Sequence, residues 1–101
     1  MLVHPKLLML ARLGLGLSQE DVATAASIGV RSLQRLESFD HAITTVQTVK
    51  AVQIALEGYG VIFLGEDEKL GPGFRLPRKF LQTNEIVAAD VHRIRKAPKK
   101  P

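Results

Sequence analysis

Residues 17–37, LSQEDVATAASIGVRSLQRLE, are patterned as two short helices with room for only a turn between them. Ser18 is followed closely by two acids, so a hydroxyl that can cap a helix precedes charges that suit the positive end of the helix dipole. A helix is therefore expected to begin at Ser18. Leu33 and Leu36 recur at helical spacing in the second half, which predicts a second helix with one apolar face.

This stretch resembles the helix-turn-helix of the phage-repressor-like (Xre-type) DNA-binding family. Members of that family typically show Leu-Ser-Gln-Glu, then Leu-Ala, then Ala-Gly-Val, then Ile-Ser-Arg-Ile-Glu. The residues that match, in order and without a gap, are Leu17-Ser18-Gln19-Glu20, Val22-Ala23, Ala26-Ser27-Ile28 and Leu33-Gln34-Arg35-Leu36-Glu37. The resemblance covers residues 5–60, and more weakly extends to about residue 77. It implies a mainly α, lambda-repressor-like domain of four to five helices.

Two residues depart from the usual pattern of that family. Ser27 stands where its members usually have glycine, and a left-handed backbone at a residue with a side chain costs about 1 kcal/mol. Gly29 stands where a serine or threonine usually caps the second helix of the motif. That helix therefore lacks a capping side chain to hydrogen-bond an amide or a phosphate, and we expect a looser first turn.

The resemblance also implies roles for single residues. The recognition helix is expected over residues 29–38, with its N-terminal end toward base edges in the major groove. Val30 is expected to pack on a thymine methyl, Arg31 to fork to the O6 and N7 atoms of guanine, and Gln34 to read adenine. Further base or phosphate contacts are expected from Gln19, Gly29, Ser32, Arg35, Thr44 and Thr45.

Arg12 is expected to form an ion pair with Glu37. Members of the family pair an arginine at this place in the first helix with the glutamate that ends the recognition helix. If the pair is buried, removing one partner costs several kcal/mol because the other charge is stranded. The alternative is that Arg12 and Glu37 are two separate surface charges.

The remaining helices of the domain follow from apolar periodicity. Residues 6–15 have one apolar face, and Pro5 suits the first turn of a helix. Residues 38–44 have no period and are expected to form a loop. Thr45 can cap the next helix, whose apolar stripe runs to Leu56 before two glycines end it. Capping therefore explains Thr45 as well as a phosphate contact does.

The C-terminal third is expected to contain a hairpin and a helix. Residues 61–64 are wholly apolar between glycines, which predicts a buried strand, and residues 74–76 alternate like a returning strand. A two-stranded hairpin is marginal alone, so it must lie on the helices or join a second chain. Relatives of the family carry a similar tail, matched here by Gly60-Val61-Ile62-Phe63 and Gly71-Pro72-Gly73-Phe74-Arg75-Leu76.

Thr83 or Asn84 can cap a final helix with an apolar stripe that contains Val87, Val91 and Ile94. The stripe needs cover from its own domain or from a partner. The positive charge lies beyond it: the chain has a net charge of +4, and its last nine residues include Arg93, Arg95, Lys96, Lys99 and Lys100. This tail is either a solvated terminus or a segment that seeks phosphate.

A length of 101 residues with 46% hydrophobic content fits one compact domain and a short appendage. We assign residues 1–59 to the helix-turn-helix domain, and residues 60–101 to an extension that is a possible dimerisation element. The chain has no cysteine, so disulfides and thiolate zinc sites are excluded. No apolar run is long enough to span a membrane, and no signal peptide is recognisable. A cytoplasmic protein with no membrane partner is expected.

The sequence contains no recognisable catalytic or cofactor site. His4, His41 and His92 have no ligand spacing, so no metal site is expected. The carboxylates of residues 66–68 lack the pattern of a calcium loop, and the glycines nearby do not form a phosphate-binding loop. No nucleophile has a plausible base and orienting partner. We therefore expect neither an enzyme nor a cofactor.

These patterns predict a sequence-specific regulator of transcription that binds double-stranded DNA, with repression as the expected effect. Because a single domain makes a small interface, a homodimer on a palindrome with half-sites about one helical turn apart is the natural arrangement. One alternative is an antitoxin that regulates its own promoter and covers a partner enzyme with its C-terminal segment. Another is a protein-interaction module without DNA binding.

Overall fold

A computed structural model describes residues 2–38 and 44–81, which are mainly helical with a small antiparallel sheet. The elements in chain order are α1 (Pro5–Leu15), α2 (Gln19–Ala26), α3 (Val30–Glu37), α4 (Val46–Gly58), β1 (Ile62–Leu64), β2 (Gly73–Arg75) and a 3₁₀ turn (Arg78–Phe80). The expected C-terminal helix and the basic tail lie outside the described residues, as does most of the expected loop at 38–44.

Local sequence signals set the ends of the helices. The His4 ring accepts a hydrogen bond from the Lys6 amide, and Pro5 occupies the first turn of α1. Ser18 caps α2, and Thr45 caps α4 by accepting a hydrogen bond from the Thr48 amide at 3.1 Å. The expected starts of these three helices are confirmed to within a residue.

One apolar core lies between the four helices. α2 contacts α3 and α4, and α1 packs on α3 and α4. Val3, before α1, and Val61, after α4, belong to the same core, and the Val3 amide donates to Gln53 Oε1 at 3.1 Å. The largest fully buried side chains are Leu8, Val22, Leu33, Leu36, Val52 and Leu56. These residues belong to the stripes that helical periodicity predicts.

The sheet is a two-stranded hairpin that lies on the helices. Phe63 pairs with Phe74 across the strands, and their rings meet edge to face with centroids 6.3 Å apart on the side that faces the core. Leu76 approaches α1 at Gly14, where a Cβ atom would lie 2.7 Å from Leu76 Cδ1. Gly14 therefore permits this close approach of the hairpin to α1.

The structure confirms a strand within residues 61–64, at Ile62–Leu64, but the expectation that the strand is buried is wrong. Val61 is buried, but Ile62 is 59% exposed and Leu64 is 44% exposed. The reason is that the sheet has one packed face only. Successive side chains point to opposite faces, so Ile62 and Leu64 lie on the face turned away from Phe63.

We predict that Gly60→Ala lowers the free energy of unfolding by at least about 1 kcal/mol. Gly60 has a φ of 104°, which alanine rarely adopts, and an added Cβ would lie 2.6 Å from Pro77 Cγ. Gly58→Ala is the matched control, because its added Cβ would meet no atom within 4 Å apart from its chain neighbours and the nearby backbone of α4. It should leave stability unchanged or raise it by up to about 1 kcal/mol. Urea denaturation measures the free energy of unfolding of both variants. Equal changes in the two would contradict the argument that the backbone conformation and the crowding at Gly60 require glycine.

Candidate nucleic-acid interface

The turn between α2 and α3 contains a serine whose backbone is in the left-handed conformation. Ser27 has φ 58° and ψ 41°, and its amide donates to Thr24 O at 3.1 Å while the Ile28 amide donates to Ala23 O at 3.0 Å. These bonds close the C-terminus of α2 although the residue is not glycine. Gly29 then precedes α3 in an extended conformation without a side-chain cap.

α3 is divided into an inner apolar face and an outer polar face. Leu33 and Leu36 are 1% and 0% exposed, whereas Arg31, Gln34 and Arg35 are exposed. The one acid of this helix, Glu37, is turned away into an ion pair. The outer face of α3, defined by Arg31, Gln34 and Arg35, therefore carries two positive charges and one amide.

Two of the expected contact residues on α3 are less exposed than this face. Val30 is partly buried and packs against the core, so its side chain is not directed wholly outward as the sequence suggested. Ser32 is also partly buried. Burial of the apolar Val30 side chain against the core is favourable, and helical periodicity alone did not indicate this contact.

Arg12 and Glu37 form the expected ion pair. Arg12 Nε lies 2.7 Å from Glu37 Oε2, and Arg12 Nη2 lies 2.8 Å from Glu37 Oε1, so the contact is bidentate. Their side chains are 11% and 7% exposed, which excludes the alternative of two separate surface charges. Arg12 Nη1 also donates to Leu17 O at 2.9 Å. One guanidinium thus joins α1, the chain entering α2 and the end of α3.

Gln19 joins this ion pair to the outer face of α3. Gln19 Nε2 donates to Glu37 Oε1 at 3.0 Å, and Gln19 Oε1 accepts from Gln34 Nε2 at 3.4 Å. Sequence reasoning placed Gln19 at a phosphate and missed both contacts. Residues this far apart in the chain share no periodic signal, so only the packing of α2 on α3 brings them together.

The start of α2 is held by a reciprocal capping box. Ser18 Oγ accepts from the Asp21 amide at 3.0 Å, and Asp21 Oδ2 accepts from the Ser18 amide at 3.0 Å. The hydrogen bond from the Ser18 amide, and then that with the Ser18 side chain, lowers the pKa of the Asp21 carboxyl below its ordinary value of 3.8. The box fixes the position from which Gln19 reaches Glu37.

The two threonines before α4 are placed differently from each other. Thr45 is exposed, but its hydroxyl already caps α4 and also lies 3.0 Å from the Thr48 hydroxyl. Thr44 is partly buried. Capping is therefore the role that the structure gives Thr45, and a phosphate contact by either threonine stays a prediction.

The chain matches no family model, no curated protein and no solved structure. Among residues 2–38 and 44–81, no group of three or more histidine, aspartate or glutamate side chains is arranged to hold a metal ion. In the same ranges no helix is long and apolar enough to cross a membrane. Support for a function therefore comes from the outer face of α3 and the contacts that hold it.

We predict that Arg12→Ala lowers the free energy of unfolding by about 3–5 kcal/mol, because it strands the Glu37 carboxylate. The double variant Arg12→Met with Glu37→Leu should cost less than this single change, since no charge remains unpaired. Arg78→Ala removes an exposed arginine and serves as the control. Urea denaturation gives the three values. A loss below about 1 kcal/mol for Arg12→Ala would mean that the pair behaves as a surface salt bridge.

Proposed function

We propose that this chain is a sequence-specific, double-stranded DNA-binding regulator of transcription with a lambda-repressor-like fold of the phage-repressor-like (Xre-type) class, and that it represses. The observation that carries the proposal is the exposed outer face of α3, which bears Arg31, Gln34 and Arg35 opposite the buried Leu33 and Leu36. An amphipathic helix of this kind, after a tight turn from a capped helix, suits insertion into the major groove.

Base recognition is assigned to the first residues and the outer face of α3. Arg31 donates to the O6 and N7 atoms of guanine, and Gln34 reads adenine one helical turn further along. Val30 is half-buried, so the exposed part of its side chain contacts a thymine methyl beside the helix. Gly29 lacks a side chain, which allows the backbone at the start of α3 to approach the DNA closely.

Phosphate contacts are assigned to groups around α3. The capping box occupies the Asp21 amide, so the phosphate contact at the start of α2 is assigned to the amides of Gln19 and Glu20, which precede the first hydrogen bond within the helix. Thr44 and Thr45 at the start of α4 are candidates for the neighbouring phosphates, and the exposed Arg35 adds a positive charge. These contacts set the position of the protein on the duplex and make binding salt-dependent, whereas the base contacts determine which DNA sequence is preferred.

The proposed working form is a two-fold homodimer in the cytoplasm. The outer face of the hairpin exposes Ile62 and Leu64, which are apolar side chains without cover in the described chain. A second copy of this face would bury them and would join two recognition helices in one dimer. Sites selected from random duplexes should therefore be palindromes with half-sites about one helical turn apart.

We predict that Arg31→Ala reduces the ratio of affinities for the selected and a scrambled duplex by roughly tenfold to a hundredfold. Weak, salt-sensitive binding to both duplexes should remain. The guanine contact is lost, while the phosphate contacts remain. Arg78→Ala is the matched control, because it removes an exposed arginine outside α3. Titration of selected and scrambled duplexes by gel retardation gives the two affinities and hence their ratio.

Equal ratios for the wild-type chain and Arg31→Ala would contradict the assigned contact. Failure of the wild-type chain to retard any duplex at low salt would contradict DNA binding itself and would favour a protein-interaction module.

A further inference from the structure

We propose that Gln19 is a positioning residue that fixes the orientation of the Gln34 amide and thereby makes Gln34 prefer adenine to guanine. The inference rests on the proposed function and concerns how the outer face of α3 distinguishes bases. It gives Gln19 a role in specificity that differs from a phosphate contact.

The observation is a chain of four side chains joined by hydrogen bonds. Arg12 holds Glu37 through two bonds of 2.7 and 2.8 Å, Glu37 accepts from Gln19 at 3.0 Å, and Gln19 accepts from Gln34 at 3.4 Å. Exposure increases along this chain. Glu37 has a side chain that is 7% exposed, Gln19 is half-buried and Gln34 is exposed. The buried end is therefore an anchor, and the exposed end is the part that a ligand can reach.

The direction of each bond is dictated by the buried end. An arginine can only donate, and an ionised carboxylate can only accept. Glu37 Oε1 must therefore face the NH₂ group of Gln19, which turns the carbonyl of Gln19 toward Gln34. Gln34 must in turn donate from its own NH₂ group. Rotating either amide by half a turn would set two acceptors or two donors against each other.

This direction decides which atoms Gln34 can offer to a base. One hydrogen of its NH₂ group is used by Gln19, which leaves the carbonyl oxygen and the second hydrogen as a pair of one acceptor and one donor. Adenine presents the complementary pair in the major groove, the N6 amino group and N7. Guanine presents two acceptors, O6 and N7, and matches two donors instead.

Without Gln19, the Gln34 amide can rotate and present both hydrogens outward. It could then hydrogen-bond to guanine as well as to adenine, so the preference for adenine at that base pair would fall. A phosphate contact by Gln19 has a different consequence. Losing it would weaken binding to every sequence by the same factor and leave base preferences unchanged.

The test compares Gln19→Met with the wild-type chain, because methionine is close to glutamine in size but cannot continue the hydrogen bonds. Gln34→Ala identifies the base pair that Gln34 reads, and Thr24→Met places the same side chain at an exposed position of α2 as a control. Duplexes with adenine or guanine at that base pair are titrated with each variant. We expect the preference for adenine to fall at least fivefold in Gln19→Met and to persist in Thr24→Met.

In the double variant Gln19→Met with Gln34→Ala, preference at this base pair should be no lower than in Gln34→Ala alone. A uniform loss of affinity in Gln19→Met with the same adenine preference would overturn the proposal, and so would no change.

A second readout needs no DNA. The side-chain NH₂ signals of Gln34 in nuclear magnetic resonance spectra should change in Gln19→Met and remain in Thr24→Met; unchanged signals would overturn the proposal. If the wild-type chain bound no duplex, the proposed function would fail, and these signals would still show whether Gln19 orients Gln34.

Discussion

The bidentate contact between Arg12 and Glu37 is the interaction on which the arrangement of the helices depends. It joins the last turn of α1 to the end of α3, and the third nitrogen of the Arg12 guanidinium donates to Leu17 O just before α2. Both charges are largely withdrawn from water, so each requires the other. The contact therefore fixes where α3 ends relative to α1, while Leu33 and Leu36 fix which of its faces is buried. The direction of the outer face follows from these two constraints together.

The buried and the exposed positions of α3 are occupied by residues of different kinds. Leu33 and Leu36 lie in the core, and Glu37 faces inward, where Arg12 and Gln19 both donate to it. Arg31, Gln34 and Arg35 face outward, and of these Gln34 is tied to Gln19. This division lets the outer residues change without loss of the fold, which suits a surface that must discriminate among ligands. It is also why the proposed function is assigned to this face.

The sequence predicted those features of the structure that depend on residues close together in the chain. Ser18 and Thr45 cap helices because a hydroxyl next to free amides needs no distant partner, and helical periodicity identified the buried leucines. The ion pair was expected from resemblance, since its partners are far apart in the chain. The Gln19 bonds, the partial burial of Val30 and the exposure of Ile62 were not foreseen. Each of these features depends on which element of the fold packs against the residue, and neither composition nor residue spacing predicts that contact.

Mapping the duplex onto the protein tests the central claim most directly. The chain labelled with ¹⁵N is titrated with a duplex selected from random sequences, and the change in each backbone amide signal is measured. The account predicts that the largest changes fall on residues 30–35 and on the first turn of α2. Changes confined to the hairpin or to the C-terminal half of α4, with the amides of α3 unaffected, would contradict it.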